Sequence, residues 1–318
     1  MQNLANPTAQ GLTRADLLPA ERRARNIDSF ASRVVYASGI TTIVALLLIF
    51  VFLAKDAIPA LRQVGLIKFF TGSAWQPEFE VFGILPLLAG SIFVTLGALI
   101  IAVPTGVISA VYIAEVAPNS VRHVLKATVE LLAGIPSVVI GFIGLTILAP
   151  IVQYVFKLPT GLTALTGSIL LAFMAIPTIA SISEDAIAAV PRSYRDGSLA
   201  LGATRWETIR QIVVPCAKRG ITAACLLGFG RAVGETMAVL MVTGNASNLP
   251  KSLSKVLEFY LQPVRTLTAT IASDMGETVQ GSSHYHALFA LGLTLFAISF
   301  IINFIADQIL RKGGSQNN

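Results

Sequence analysis

Cysteine and histidine are nearly absent from this sequence. Cys216 and Cys225 are the two cysteines in 318 residues, too few and too close for a disulfide framework or a thiolate metal cluster. Of three histidines, His284 and His286 stand near each other. Two ligands fall short of the three or four that a zinc site needs, so no metal is expected. Charge is scarce too, at 13% of residues, against about 25% in soluble domains. No G-x4-G-K-[ST] loop occurs, so the chain is not expected to hydrolyse ATP or to hold a nucleotide cofactor. No nucleophile–base constellation stands out, so an enzyme is not expected. The net charge of +6 comes from basic residues scattered through loops, not gathered on one soluble face, and nucleic acid is excluded as a partner on that ground.

Hydrophobic residues are what the chain has in abundance: 54% of the total, with a mean hydropathy of +0.73. They fall into apolar runs at 34–53, 83–113, 127–154, 162–190, 221–243 and 287–310. Each is long enough for a membrane span, which needs roughly 20 residues. The first is too long for a signal-peptide core and no small-residue cleavage site follows it. The expected fold class is therefore all-α, a polytopic membrane protein of six spans. Residues 1–33 form a polar tail, 34–310 the transmembrane domain and 311–318 a second tail. Between the first two runs lies a mixed loop with Phe69, Phe70 and Trp75, aromatics of the kind that sit at the lipid–water boundary. The segment 244–283 is expected to be a polar outer loop.

The basic residues set the orientation. Arg14, Arg22, Arg23, Arg25 and Arg33 lie in the first tail, and Arg122 and Lys126 follow the second run. Arg192, Arg195, Arg205, Arg210, Lys218 and Arg219 lie between the fourth and fifth, and Arg311 and Lys312 end the chain. The opposite loops hold fewer: Lys55, Arg62, Lys68, Lys157, Lys251, Lys255 and Arg265. The positive-inside rule then places both termini and the 191–215 loop in the cytoplasm. Pro104, Pro136 and Pro177 interrupt the runs, each freeing a carbonyl that lipid cannot satisfy. Small residues flank the breaks (Gly134, Ser137, Gly141 and Gly144; Ala172, Ala175 and Ala180) and allow close helix approach. Glu130, Glu184 and Asp185 fall near inner helix ends, where solvation or local pairing accounts for them, with a gating role as the alternative.

Residues 196–215, DGSLALGATRWETIRQIVVP, form a charged interruption in this apolar chain. Ser193 and Asp196 make an S-x-x-D pattern able to open a helix after Pro191. Leu199, Gly202, Trp206 and Ile209 recur at spacings that share one helical face. Gly202, mid-pattern, costs about 1 kcal/mol against Ala in a helix and marks a bend or a close backbone approach. The expectation is a short, bent, amphipathic helix pair on the membrane surface, shaped to be gripped by another protein.

A second oddity lies inside the fifth run. Arg231 and Glu235, in GFGRAVGETMAV, are charges in a stretch where each costs about 2.5 to 3.5 kcal/mol at the bilayer centre. Four residues apart, they would share a helix face. Two readings stay open: a self-neutralising ion pair, or a guanidinium fork that meets a passing oxyanion with Glu235 holding it between visits. Gly228, Gly230 and Gly234 would thin the helix for a close neighbour.

These two stretches carry a resemblance. Residues 196–215 resemble the E-A-A-x3-G-x9-I-x-L-P loop of ATP-binding-cassette (ABC) importer permeases: Asp196, Gly197 and Ser198 stand at E-A-A, Gly202, Ile212 and Pro215 are in register, and Val214 replaces Leu. GRAVGETMAVLMVTGN (230–245) and LLAGIPSVVIG (131–141) are similar to the fifth-span and third-span segments of the phosphate-specific (Pst) importer permeases. The polar tail, the added first helix and the length fit the PstC-type subunit. The resemblance implies a type I importer permease fold in a prokaryotic cytoplasmic membrane. It implies a PstA-type permease partner, a PstB-type ATPase dimer and a PstS-type phosphate-binding protein. It further implies that Arg231 and Glu235 act on inorganic phosphate, and that Asp196, Gly197, Ser198, Gly202, Arg205, Trp206, Ile212 and Pro215 form the ATPase contact. The function so implied is phosphate import by alternating access. Rival readings are a permease for sulfate or molybdate, and a secondary transporter or channel that needs no ATPase.

Overall fold

A computed structural model describes residues 14–250 and 255–312. The outer parts of both expected tails, 1–13 and 313–318, and loop residues 251–254 with Lys251, lie outside the described residues. The chain divides into two compact units, Met1–Phe52 and Leu53–Asn318. The first holds most of one long helix, α1 (Arg14–Val64), and the apolar side chains of its part from Phe30 onward are exposed within this chain. The second unit holds everything that positions the candidate sites.

Six helices are long and apolar enough to cross a membrane: Phe30–Val64, Leu85–Val116, Ser137–Phe156, Ala164–Ala188, Arg205–Gly234 and Ser283–Ile305. Their number and order agree with the apolar runs. The first span is longer than its run because Lys55, Asp56 and Arg62 do not end the helix; a left-handed residue does, Gly65 at φ 85°. A short helix, α2 (Leu66–Thr71), and a two-stranded hairpin, β1 (Trp75–Gln76) with β2 (Val81–Phe82), follow. The strands pair antiparallel, Trp75 opposite Phe82. Phe69 and Trp75 are buried within the chain, whereas Phe70 is exposed. The two buried rings pack with Ile84, Leu87, Leu267 and Leu288 into an apolar cluster at one end of the second unit.

From that end α3 (Leu85–Val111) runs to the other, closing in a π-helical turn, Tyr112–Val116. The third run divides. The amphipathic α4 (Asn119–Ala133) stops at Gly134, and α5 (Ser137–Ile143) begins after Pro136, which has no N–H to continue the ladder. A π-helical turn, Gly144–Leu148, joins α5 to α6 (Ala149–Phe156). The expected break at 134–136 is thus present, but it separates a surface helix from the span instead of kinking one.

The centre of the second unit is α7 (Ala164–Ala188), with α3 on one side and the fifth-span helix on another. Close approach explains the small residues. A Cβ on Gly106 of α3 would come 2.9 Å from Ile179, and one on Gly228 would come 2.5 Å from it. Ile179 is fully buried between them. Helices α8 (Arg192–Ala200) and α9 (Arg205–Thr208), a π-helical turn (Ile209–Val213), and α10 (Val214–Gly234) follow. At that end Ala110, Ile187, Val190, Val213 and Ala217 form an apolar cluster that ties the ends of α3 and α7 to the start of α10.

The fifth span starts earlier and stops earlier than its apolar run. Thr204 and Glu207 cap it at Arg205, and Glu235 breaks it with an extended backbone, φ −69° and ψ 133°. Beyond lie α11 (Met237–Val242), α12 (Val256–Tyr260), α13 (Leu267–Asp274) and α14 (Ser283–Lys312). The expected polar loop is a packed segment. Phe259, Val264 and Leu267 are buried, Tyr260 donates to the Phe93 carbonyl at 2.8 Å, and the Leu267 N–H donates to Ser91 Oγ at 2.9 Å.

Candidate functional site

The 191–215 stretch folds as a helical hairpin. Pro191 stands at the N-cap of α8 and Arg192 is its first residue. Ser193 is therefore already inside the helix, and the S-x-x-D pattern does not cap it. The capping box is T-x-x-E instead. The Glu207 N–H donates to Thr204 Oγ1 at 3.3 Å, and the Thr204 N–H donates to Glu207 Oε2 at 2.7 Å. This signal, TRWE at 204–207, was legible and stands at the very place where the second helix begins. The bend sits at Gly202, at φ +88°, a conformation that disfavours every residue with a Cβ. Because the chain reverses there, Leu199, Gly202, Trp206 and Ile209 do not share one helical face as their spacing suggested.

The other predicted residues are distributed around this turn. Ser198 and Thr208 hydroxyls meet at 3.0 Å and tie the two helices together. Asp196, Gly197 and Arg205 are exposed, Ile212 is half-buried in the π-helical turn, and Pro215 opens α10. Trp206 is 63% exposed and Leu201 90%. A cleft of about 410 Å³, lined by Val116, Asp196, Leu199, Arg205 and Trp206, opens beside it.

Arg231 lies in the last turn of α10, not mid-span. One Nη donates to Thr178 Oγ1 of α7 at 2.9 Å, the other to the Ala133 carbonyl at 3.1 Å. That carbonyl ends α4, one of the acceptors a helix C-terminus leaves open, and a cation there also meets the negative end of the helix dipole. Arg231 thus ties three helices at the α4–α5 break. Glu235 does not share its face, because the helix has ended. Its carboxylate accepts from the backbone N–H of Thr236 at 3.2 Å and of Ala238 at 3.4 Å. The self-neutralising pair is accordingly not formed, and neither does Glu235 hold the guanidinium. Both acceptors of Arg231 are neutral, and among the described residues it has no carboxylate partner. Of the glycines nearby, Gly228 serves a close approach; Gly230 and Gly234 face open space in this chain.

Sequence reasoning missed the ion network beside this site. Glu184 of α7, 2% exposed, accepts from Arg122 Nη2 and from Lys126 Nζ, both at 2.7 Å. Lys126 also reaches Asp185 at 2.5 Å. The hydrogen bonds to Asp185 and then Glu184 push the Lys126 ammonium above its ordinary pKa of 10.5. His284 lies 3.3 Å from Asp274 and stacks on Phe82. Among the described residues no group of three or more His, Cys, Asp or Glu side chains could hold a metal.

Six helices long and apolar enough to cross a membrane, with a charged helical hairpin at the start of the fifth, make this an all-α, polytopic membrane protein. Residues 102–312 match the family described as "Binding-protein-dependent transport system inner membrane component". The chain belongs to that family. It is 40% identical over 297 residues, 92% of this chain and 94% of its relative, to a protein of Bacillus subtilis described as a probable ABC transporter permease protein, YqgH. It is 35% identical over 326 residues, 93% and 96%, to the phosphate transport system permease protein PstC of Mesorhizobium japonicum. Among solved structures, a bacterial alginate ABC transporter in complex with a pentasaccharide-bound periplasmic protein aligns over 91% of this chain and 97% of its own. Its TM-score is 0.61 and its sequence identity 15%. A MetNI methionine ABC transporter aligns over 72% and 94%, with a TM-score of 0.52 and 19% identity. The fold is therefore that of an ABC importer permease, and the chain is a multi-pass membrane protein.

Proposed function

We propose that this chain is the permease subunit of an ATP-driven inorganic phosphate importer. The observation that carries the substrate is the 35% identity, over nearly the whole of both chains, to a phosphate transport system permease. The geometry supports it with a guanidinium in the bundle whose partners are neutral acceptors, so its charge is available to an oxyanion. The positive-inside count supports a cytoplasmic position for both termini and the 192–208 hairpin. There the exposed Trp206 and Leu201, with the cleft beside them, dock on a PstB-type ATPase dimer. A PstA-type permease completes the pathway, and a PstS-type protein delivers phosphate from the other side. Closure of the ATPases carries the hairpin with it and tilts α3, α7 and α10, exposing the Arg231 region alternately to either face.

The test is uptake of labelled phosphate by the complete complex in proteoliposomes. Arg231→Gln is expected to leave the complex assembled and to reduce uptake by at least tenfold, roughly 1.4 kcal/mol in barrier height. Near-normal uptake by that variant removes the role of Arg231. The guanidinium and its neutral acceptors suit any tetrahedral oxyanion equally, so the second reading is a permease for sulfate or molybdate. Stimulation of the complex's ATPase by sulfate or molybdate, and not by phosphate, would establish it.

A further inference from the structure

We infer that Arg195 transmits the motion of the hairpin to the spans; this rests on the reading of the hairpin as the ATPase contact. Helix α8 has no buried residue, so apolar packing gives it little grip on the bundle. Ser198 ties it to Thr208 of α9; its tie to α3 and α7 is the Arg195 side chain. Arg195, one turn into α8, is 19% exposed, and Glu115 opposite it 11%. Arg195 Nε donates to Glu115 Oε1 at 3.0 Å, and Nη2 donates to the same oxygen at 2.5 Å. Nη2 donates also to the Ile187 carbonyl at 3.0 Å, and Nη1 donates to the Val190 carbonyl.

The partners belong to two elements, Glu115 to the end of α3 and Ile187 and Val190 to the end of α7. Ile187 and Val190 carry carbonyls at the C-terminus of α7, where the helix leaves acceptors open and where a cation meets the negative dipole end. Glu115 lies in the π-helical turn that closes α3; such turns re-aim side chains and recur at functional places. A planar fork that meets a carboxylate on one edge and two carbonyls on the other holds its position as a lysine would not. Displacing α8 therefore pulls on α3 and α7 together, the two helices that pack at the centre of the bundle. Arg195 is a positioning residue: it touches neither substrate nor ATP.

The experiment uses the full complex in proteoliposomes, in a background where Cys216 and Cys225 are replaced by Ser. Phosphate transported per ATP hydrolysed is measured for Arg195→Gln, Arg195→Lys and Glu115→Gln. Arg195→Gln and Glu115→Gln are expected to lower that ratio at least fivefold while ATP hydrolysis stays within twofold. Arg195→Lys is expected to fall between, since it keeps charge but not the fork. In Arg195→Cys/Glu115→Cys, a short bis-methanethiosulfonate bridge should raise the ratio again and reductant should abolish the gain. An unchanged ratio in Arg195→Gln overturns the inference, as does loss of the ATPase from that variant in parallel with uptake, which would make Arg195 an assembly anchor. Trp206→Ala separates the two levels. If it strips the ATPase while Arg195→Gln changes nothing, only the transmission role fails; if it leaves the ATPase bound and coupled, the docking reading itself fails.

Discussion

Replacing Glu184 by Gln removes a buried charge and keeps its shape. The carboxylate accepts two charge-assisted hydrogen bonds, from Arg122 and Lys126, each at 2.7 Å. Such bonds contribute about 1.5 to 3 kcal/mol apiece. Both cations are about a third exposed, 31% and 35%, so water screens part of that and receives them when the partner goes. The amide retains one acceptor oxygen and turns an N–H2 toward the other cation. About 2 kcal/mol of stability should be lost, and at about 2 to 4 °C per kcal/mol for a chain of this order of size, apparent melting should fall by roughly 4 to 8 °C. The assay is thermal inactivation of the purified complex in lipid nanodiscs, followed by size exclusion. Asp185→Asn is the control: Asp185 is 62% exposed, and its loss should cost under about 1 kcal/mol. Equal shifts for the two variants, or none for Glu184→Gln, would refute the claim that burial makes this carboxylate the anchor of α4.

Three further outcomes follow from particular contacts. The Lys126 ammonium is held above its ordinary pKa by Asp185 and Glu184. Its contribution is therefore complete below the unfolded value near 10.5 and is lost as pH rises through the higher folded one; the alkaline fall in melting temperature should be shallower in Lys126→Met. Gly228→Ala should cost about 1 to 3 kcal/mol by overpacking against Ile179, whereas Gly230→Ala, with nothing within 4 Å, should leave melting unchanged or raise it slightly. Gly202→Val should uncouple ATP hydrolysis from uptake, because a branched side chain resists φ +88° and the bend shifts; full uptake with full ATPase retention in that variant would contradict it.

The six spans were legible because an apolar run of about 20 residues has one interpretation. The hairpin was legible at Gly202 because a glycine mid-helix needs a reason. What escaped was everything decided by distant sequence. Arg122 and Glu184, Arg195 and Glu115, and Arg231 and Ala133 meet across long separations, and periodicity says nothing about such pairs. The Arg231–Glu235 pairing failed for a local reason: the helix ends between them, which apolar content alone does not reveal. The burial of Trp75 and Phe69 was not legible, because a membrane-edge aromatic and a core aromatic have the same composition signal.

A chain made one span at a time puts α7 into the membrane before α10 exists. Its polar side chains would then be stranded in hydrocarbon unless earlier segments received them. The contacts run the right way: Ser168 Oγ donates to the Val94 carbonyl at 3.1 Å, Thr166 Oγ1 to the Gly161 carbonyl at 2.6 Å, and Glu184 finds Arg122 and Lys126, all synthesised before them. Thr178 waits for Arg231, the Ala164 N–H waits for the Gln262 carbonyl, and the buried Ser183 hydroxyl finds no partner among the described residues. The central helix is born with most of its polar needs already met, and the fifth span arrives chiefly to cover small apolar surface.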